Sequence, residues 1–517
     1  MNEEEKTTKV MDINPETKSE SISDGENQDV SATSMALMAM GYEPQMKRNI
    51  GNLQLVGICF MVTASWLGVT GGFSTGVLIG GSATVVYGLI LLGVINLCVV
   101  TTLAELMSAM PNAGGQYYWA TKLAPAALAR PSAFFTGLCN LFGGICATSG
   151  DFVLMGNFVL GCVKLVHPSF NSHSWQAYLI GFVFNTSIST ITLHKYTSSK
   201  GLLIGMVVNI LACATIMVTI PAVSPKHTKP SYIFASVENI SGWDSNGMAF
   251  LVGLINANYS YGMIDTAVHL AEEIPEPEKN IPKALYMTIG LGFLTAWPLA
   301  VILMWSLSDF DTILNTPTGI PLLELFHVAL RQNKAAAIFM FALVIVCYVF
   351  AMIGLYAYMY RICWAFSRDN GLPFSHIWSR VHPKMDIPVQ AHLLCTVVVA
   401  LLSLLGIAST TAFNSLTAGV IIFPALSYTL PTIYSLLPRN KDVKGPFYLG
   451  SLGKFCRVVT VLFSAFATVI YSFPYMMPAT PGNMNYISPI IGAFLIYAIL
   501  DWFIRARKTF VVREGGH

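Results

Sequence analysis

The chain has 517 residues, of which 54% are hydrophobic and only 11% charged, with a net charge of +2. A soluble protein of this size carries about 25% charged residues, so a water-soluble globular domain is excluded, and the near-neutral balance argues against a nucleic-acid partner. The 10 Cys are scattered singly, mostly in apolar runs, and no CxxC spacing occurs; they read as small packing residues, with no zinc site and no redox pair.

Residues 1–49 are rich in Glu, Ser, Lys, Asp and Thr, too polar to bury a core, and are expected to form a disordered cytoplasmic tail. They are not basic then apolar, so no cleavable signal peptide is expected. From Gly51 apolar runs of about 20 residues recur, the length that crosses a bilayer as a helix. The runs lie at about 52–76, 80–104, 131–161, 176–194, 201–222, 246–270, 281–306, 334–363, 390–408, 412–437, 457–476 and 485–505. An all-α polytopic membrane protein of twelve transmembrane helices is predicted, with the transport unit at 50–505 and a short C-terminal tail at 506–517.

Basic residues orient the spans. Of the 29 Lys and Arg, only Lys164, Lys226, Lys229, Arg331 and Lys334 fall on the side away from the N-terminus. Both termini are therefore expected in the cytoplasm. Two spans are interrupted near their middles, the first at Trp66-Leu67-Gly68-Val69-Thr70-Gly71-Gly72 and the sixth at Asn256-Ala257-Asn258-Tyr259-Ser260-Tyr261-Gly262. A broken helix frees backbone groups that lipid cannot satisfy, so such breaks line cavities. Spans one and six cross in opposite directions, as an inverted repeat requires, and paired breaks point to a transporter's binding site.

Three stretches carry a family resemblance: Ala104-Glu105-Leu106 through Pro111-Asn112-Ala113-Gly114-Gly115-Gln116 to Leu123-Ala124-Pro125, then Glu272 to Ala284, then Arg361 to Pro373 with Ser367-Arg368-Asp369-Asn370-Gly371. From about Gly51 to about Arg505 the chain resembles the amino acid–polyamine–organocation superfamily, and within it the fungal amino acid and choline permeases, including GABA permeases. The resemblance implies two inverted five-helix repeats with helices 1 and 6 broken, plus two further helices. It also implies secondary transport of small nitrogenous solutes, commonly driven by protons, at the plasma membrane.

Candidate substrate-binding residues follow. Thr70, Gly71 and Gly72 sit at the first break, where a half-helix N-terminus would face a substrate carboxylate. Trp66, Tyr259 and Tyr261 offer aromatic faces to an ammonium group, with Asn258 beside them in the second break. Asp265 is a carboxylate within a span, functional by default, either as counter-charge to an ammonium or as a proton carrier. Asp151, in span three, is the other proton-coupling candidate, and His269 lies near the site. Glu105 is expected to pair with a cytoplasmic base such as Arg368, and Glu272 to Lys283 to form a gate or hinge. No metal spacing and no convergent nucleophile and base occur, so neither a cofactor nor an enzyme is expected. The expected function is proton-coupled import of an amine or amino acid; the alternative is a nutrient sensor of the same fold that binds solute without significant transport.

Overall fold

A computed structural model of the chain describes residues 38, 41–42, 46, 48, 50–193, 200–236 and 239–513. Most of the expected N-terminal tail therefore lies outside the described residues. Among the described residues the architecture is helical, with one isolated bridge between His382 and Ile387. Ten helices among the described residues are long and apolar enough to cross a membrane. Helices satisfy their own backbone groups, which is why they are the form that a chain of such long apolar runs adopts in lipid.

In chain order these are α1 (Asn52–Thr63), α2 (Ser65–Gly71), α3 (Phe73–Ala109), α4 (Gln116–Leu123), α5 (Ala126–Val166), α6 (Ser174–Thr192), α7 (Lys200–Val223) and α8 (Asn246–Asn258). They continue as α9 (Pro277–Trp305), α10 (Pro321–Ala329), α11 (Lys334–Arg368), α12 (Val389–Ser403), α13 (Thr410–Ser435), α14 (Ser451–Ile470) and α15 (Ile487–Asp501). α1 and α2 together make one of the ten membrane-length segments, Asn52–Gly71. α6 and the interrupted element that begins with α8 occupy the positions of spans four and six. α3 joins the end of span one to span two through Gly81, whose φ of 68° turns the chain where a side chain would be strained.

Packing is most extensive between α9 and α3, between α13 and α5, and between α8 and α3. The core is aromatic: Trp66, Trp119, Trp364, Tyr356, Tyr358, Tyr360 and Phe134 are all fully buried. Val218, Leu294, Phe339, Leu462 and Ile504 are exposed instead, forming the apolar exterior that a bilayer solvates. The terminal segments meet at one end of the bundle. There the Val511 N–H donates to the Asp369 carbonyl at 3.1 Å, and Arg130 donates to the Phe510 carbonyl.

Candidate substrate cavity and its gate

The first helix breaks earlier than the glycine run suggests. Ala64 adopts a left-handed conformation, φ 37° and ψ 49°, and ends α1 with its N–H on the Phe60 carbonyl. α2 then restarts at once, with the Leu67 and Gly68 N–H groups both returning to the Ala64 carbonyl, at 2.7 and 3.2 Å. Residues Trp66 to Gly71 are thus helical, and the Gly72 N–H is turned back to the Gly68 carbonyl at 3.0 Å. The strain sits at Ala64 because Gly68 is used for contact. A Cβ there would lie 2.6 Å from the Cα and N of Ser260, in the second break. Gly71 makes room likewise for the Tyr348 hydroxyl, 2.7 Å from its notional Cβ. That hydroxyl donates to the Leu67 carbonyl at 2.9 Å, as does Thr70 Oγ1 at 2.8 Å.

The second break follows α8. Tyr259–Tyr261 form a single 3-10 turn, Gly262 is extended, and Met263 takes a φ of 54°. A second 3-10 stretch, Thr266–Glu273, carries the chain onward. The two breaks pack on one another and wall a cavity of about 460 Å³, within the 300–1,000 Å³ range of small-molecule sites. Phe413 and Asn414 at the start of α13, Ile320 and Leu322 at the start of α10, and Tyr475 after α14 also line it. The cavity therefore extends from the breaks toward the end opposite the terminal segments.

Of the sequence candidates, Thr70, Gly71, Gly72, Tyr259 and Asp151 line this cavity. Trp66 is fully buried away from it, its indole N–H donating to Asn209 Oδ1. Asn258 accepts from Asn96 at 3.2 Å, and the Tyr261 hydroxyl donates to the Leu89 carbonyl at 2.9 Å; both face a smaller void between α3, α13 and α14. Thr63 and Tyr348 line the cavity too but went unmarked in the sequence. Both are polar groups inside apolar spans, which was the available signal.

Asp265 does not line the cavity. It lies two residues beyond Met263, which does, and is fully buried. Its Oδ2 accepts from Gln116 Nε2 at 2.8 Å and from Asn140 Nδ2 at 3.2 Å, with His269 Nε2 at 3.3 Å and the Tyr358 hydroxyl at 3.4 Å. His269 Nδ1 lies 3.0 Å from the Ala113 carbonyl. A carbonyl only accepts, so Nδ1 carries a proton. The other ring nitrogen, Nε2, lies 3.2 Å from Asn140 Nδ2 as well as beside the Asp265 carboxylate.

Beyond this cluster, toward the terminal segments, the bundle is closed by buried ion pairs. Arg361 donates to both oxygens of Glu273, and Arg368 to both of Glu272, at 2.8 and 3.1 Å. The expected gate segment thus begins with two carboxylates tied to α11. Glu105 pairs with Arg457 at 2.7 Å, not with Arg368; α14 packs along α3 and brings its own base to that end. Arg368 stacks over the rings of Tyr42 and Trp364 at 4.2 and 4.6 Å. Tyr42, from the stretch expected to be a tail, donates to Asp369 Oδ2 at 3.0 Å, as does Tyr117.

Burial pushes Asp369 up to about 6, against Arg368 and the donated Tyr117 and Tyr42 hydroxyls, which lower it. In the unfolded chain it titrates near 4. Between about pH 4 and 6 the folded protein therefore holds a proton that the unfolded chain lacks, a contribution to stability that is lost as pH rises through about 6. Asp369→Asn is expected to flatten the fall in melting temperature of the purified protein across that window. An unchanged profile would assign the slope to another group.

Among the described residues no cluster of His, Cys, Asp and Glu has metal-ligand geometry. A family model described as amino acid permease matches residues 53–496. A choline transporter of Saccharomyces cerevisiae is 34% identical over 489 residues, covering 93% of this chain and 85% of that protein. A swainsonine transporter of Arthroderma benhamiae is 31% identical over 473 residues, covering 91% and 93%. The amino-acid permease BAT1 of Arabidopsis thaliana is 26% identical over 489 residues, covering 92% and 95%. With its paired helix breaks, the cavity between them and a match over most of its length, the chain belongs to the amino acid permease family, in the branch that holds the fungal amino acid and choline permeases, and is an integral-membrane transporter, not an enzyme.

Proposed function

We propose that the protein imports a small nitrogenous solute, an amino acid, GABA or choline, across the plasma membrane by proton symport. The observation that carries this reading is the meeting of the two helix breaks around the 460 Å³ cavity. The names of the relatives, choline transporter and amino-acid permease, support the solute class. In this reading residues 50–505 form twelve spans, two inverted five-helix repeats and two more helices. The tails at 1–49 and 506–517 lie in the cytoplasm, where the Lys and Arg bias puts them. The cavity then faces outward, and the Arg361–Glu273 and Arg368–Glu272 pairs close the inner side. Import requires these pairs to part as the outer side shuts, which is alternating access around a fixed site.

Substrate meets Thr70, Gly71, Gly72 and Tyr259 in the cavity. Trp66, Asn258 and Tyr261 shape the breaks from behind. A proton taken up at the Asp265–His269 contact, between cavity and gate, supplies the coupling. Its arrival neutralises a carboxylate at the moment when the inner pairs loosen.

The test is uptake of labelled choline, GABA and amino acids in expressing cells, at external pH 5 to 8, with and without a protonophore. Uptake of at least one solute is expected to rise with acidity and to collapse with the protonophore. Asp265→Asn, expressed at the surface, is expected to lower uptake at least tenfold and to remove its pH dependence. Unaltered uptake with unaltered pH dependence would overturn the coupling role.

A further inference from the structure

The charge inventory of the cavity narrows its cargo. Among its lining residues Asp151 is the one Asp, Glu, Lys, Arg or His. Among the described residues it makes no hydrogen bond and no ion pair, although it stands on α5 deep in the bundle. A carboxylate placed at membrane depth is costly and is ordinarily paired. Among the described residues, the acids packed inside the bundle elsewhere follow that rule: Glu105, Glu272 and Glu273 hold arginines, while Asp265 and Asp369 accept hydrogen bonds. Asp151 instead borders the cavity.

The polar groups around it do not suit an anion. The Gly72 and Gly76 N–H groups are turned back into the helix, at 3.0 and 2.8 Å. The Thr70 and Tyr348 hydroxyls are both spent on the Leu67 carbonyl. Asn157, Asn256 and Asn414 add neutral amides, and Thr63 and Thr417 neutral hydroxyls, able to hydrogen-bond a hydroxyl but not to cancel a charge. Aromatic rings are plentiful: Phe73, Phe158, Tyr259, Tyr348, Phe413 and Tyr475 all border the space. Such faces attract alkylated ammonium groups.

We propose that Asp151 is the counter-charge for the cargo, and that the cavity takes an organic ammonium compound lacking a carboxylate. This inference rests on the transporter reading above and moves Asp151 from proton handling to cargo recognition. A zwitterion would bring a second carboxylate into a space with no base to receive it.

Choline and glycine betaine share a trimethylammonium head and differ in the carboxylate, which makes them the discriminating pair. Equilibrium binding of labelled choline to the purified full-length protein, at pH 6, 7 and 8, removes transport and its driving force from the measurement. Choline is expected to bind saturably and to be displaced by unlabelled choline, with glycine betaine and GABA at least tenfold weaker as competitors. Asp151→Asn is expected to raise the choline Kd at least tenfold at every pH, while Asp151→Glu, which keeps the charge, stays within a few fold of the parent. Equal competition by glycine betaine, absence of choline binding, or an Asp151→Asn variant with an unchanged Kd would each overturn the proposal. Uptake separates the two readings. Unimpaired GABA or amino-acid import by Asp151→Asn would overturn the cation assignment while the permease reading stands, whereas no import of any solute by the parent would overturn the permease reading itself.

Discussion

Arg368→Gln is expected to destabilise the protein by about 3–5 kcal/mol, the cost of leaving one member of a buried ion pair without its partner. Both side chains of the Arg368–Glu272 pair are 3% exposed, so water does not screen the loss. The guanidinium also fills the gap between the Tyr42 and Trp364 rings, and Gln supplies neither that flat cation nor the two-pronged contact. Glu272 and Asp369 both lose the cation whose charge each meets in the parent. Glu272→Gln is expected to cost less, because Arg368 keeps the attraction of Asp369. The double variant should recover much of the loss of Arg368→Gln, since it removes the stranded carboxylate along with the cation. Thermal unfolding of the purified protein measures all three. A double variant as unstable as the sum of its singles would mean that the pair itself is not what closes this end.

This closure was only partly legible in the sequence. The apolar runs announced the spans, and most helices begin and end within a few residues of where hydropathy put them, because the bilayer length is written locally. Asp265 was visible for the same reason, as a carboxylate in an apolar run. Its surroundings were not, since Gln116, Asn140, His269 and Tyr358 come from separate elements and meet only through packing. Glu105 shows the limit plainly: its motif marked a structural acid, but the choice of Arg457 over Arg368 depends on how α14 lies along α3.

The first break is the sharper case. The run Trp66 to Gly72 marks the break in the sequence, and Gly71 and Gly72 point there to backbone brought close to a substrate. The structure spends Gly68 and Gly71 on close approach and places the left-handed turn at Ala64. A glycine that admits a ligand and one that admits a neighbouring helix look alike in sequence.

Gly68→Ala is therefore expected to have the largest effect on transport of any single methyl group added near the cavity. Its Cβ would fall 2.6 Å from the Cα and N of Ser260 and 2.8 Å from the Tyr259 carbonyl carbon. These are backbone atoms and cannot rotate aside, so the two breaks must separate. Overpacking of this kind costs about 1–3 kcal/mol. If that cost falls on the conformation that binds substrate, uptake drops on the order of 10- to 100-fold, with surface expression less affected. Gly71→Ala provides the contrast, because its clash is with the Tyr348 hydroxyl, the end of a side chain. Adding Tyr348→Phe should relieve Gly71→Ala. Adding Ser260→Gly should not relieve Gly68→Ala, since the offending atoms persist in glycine. Recovery of uptake by Ser260→Gly would show that the breaks are held by side chains and not by backbone contact, and the cavity would then owe its shape to something other than the approach of the two broken helices.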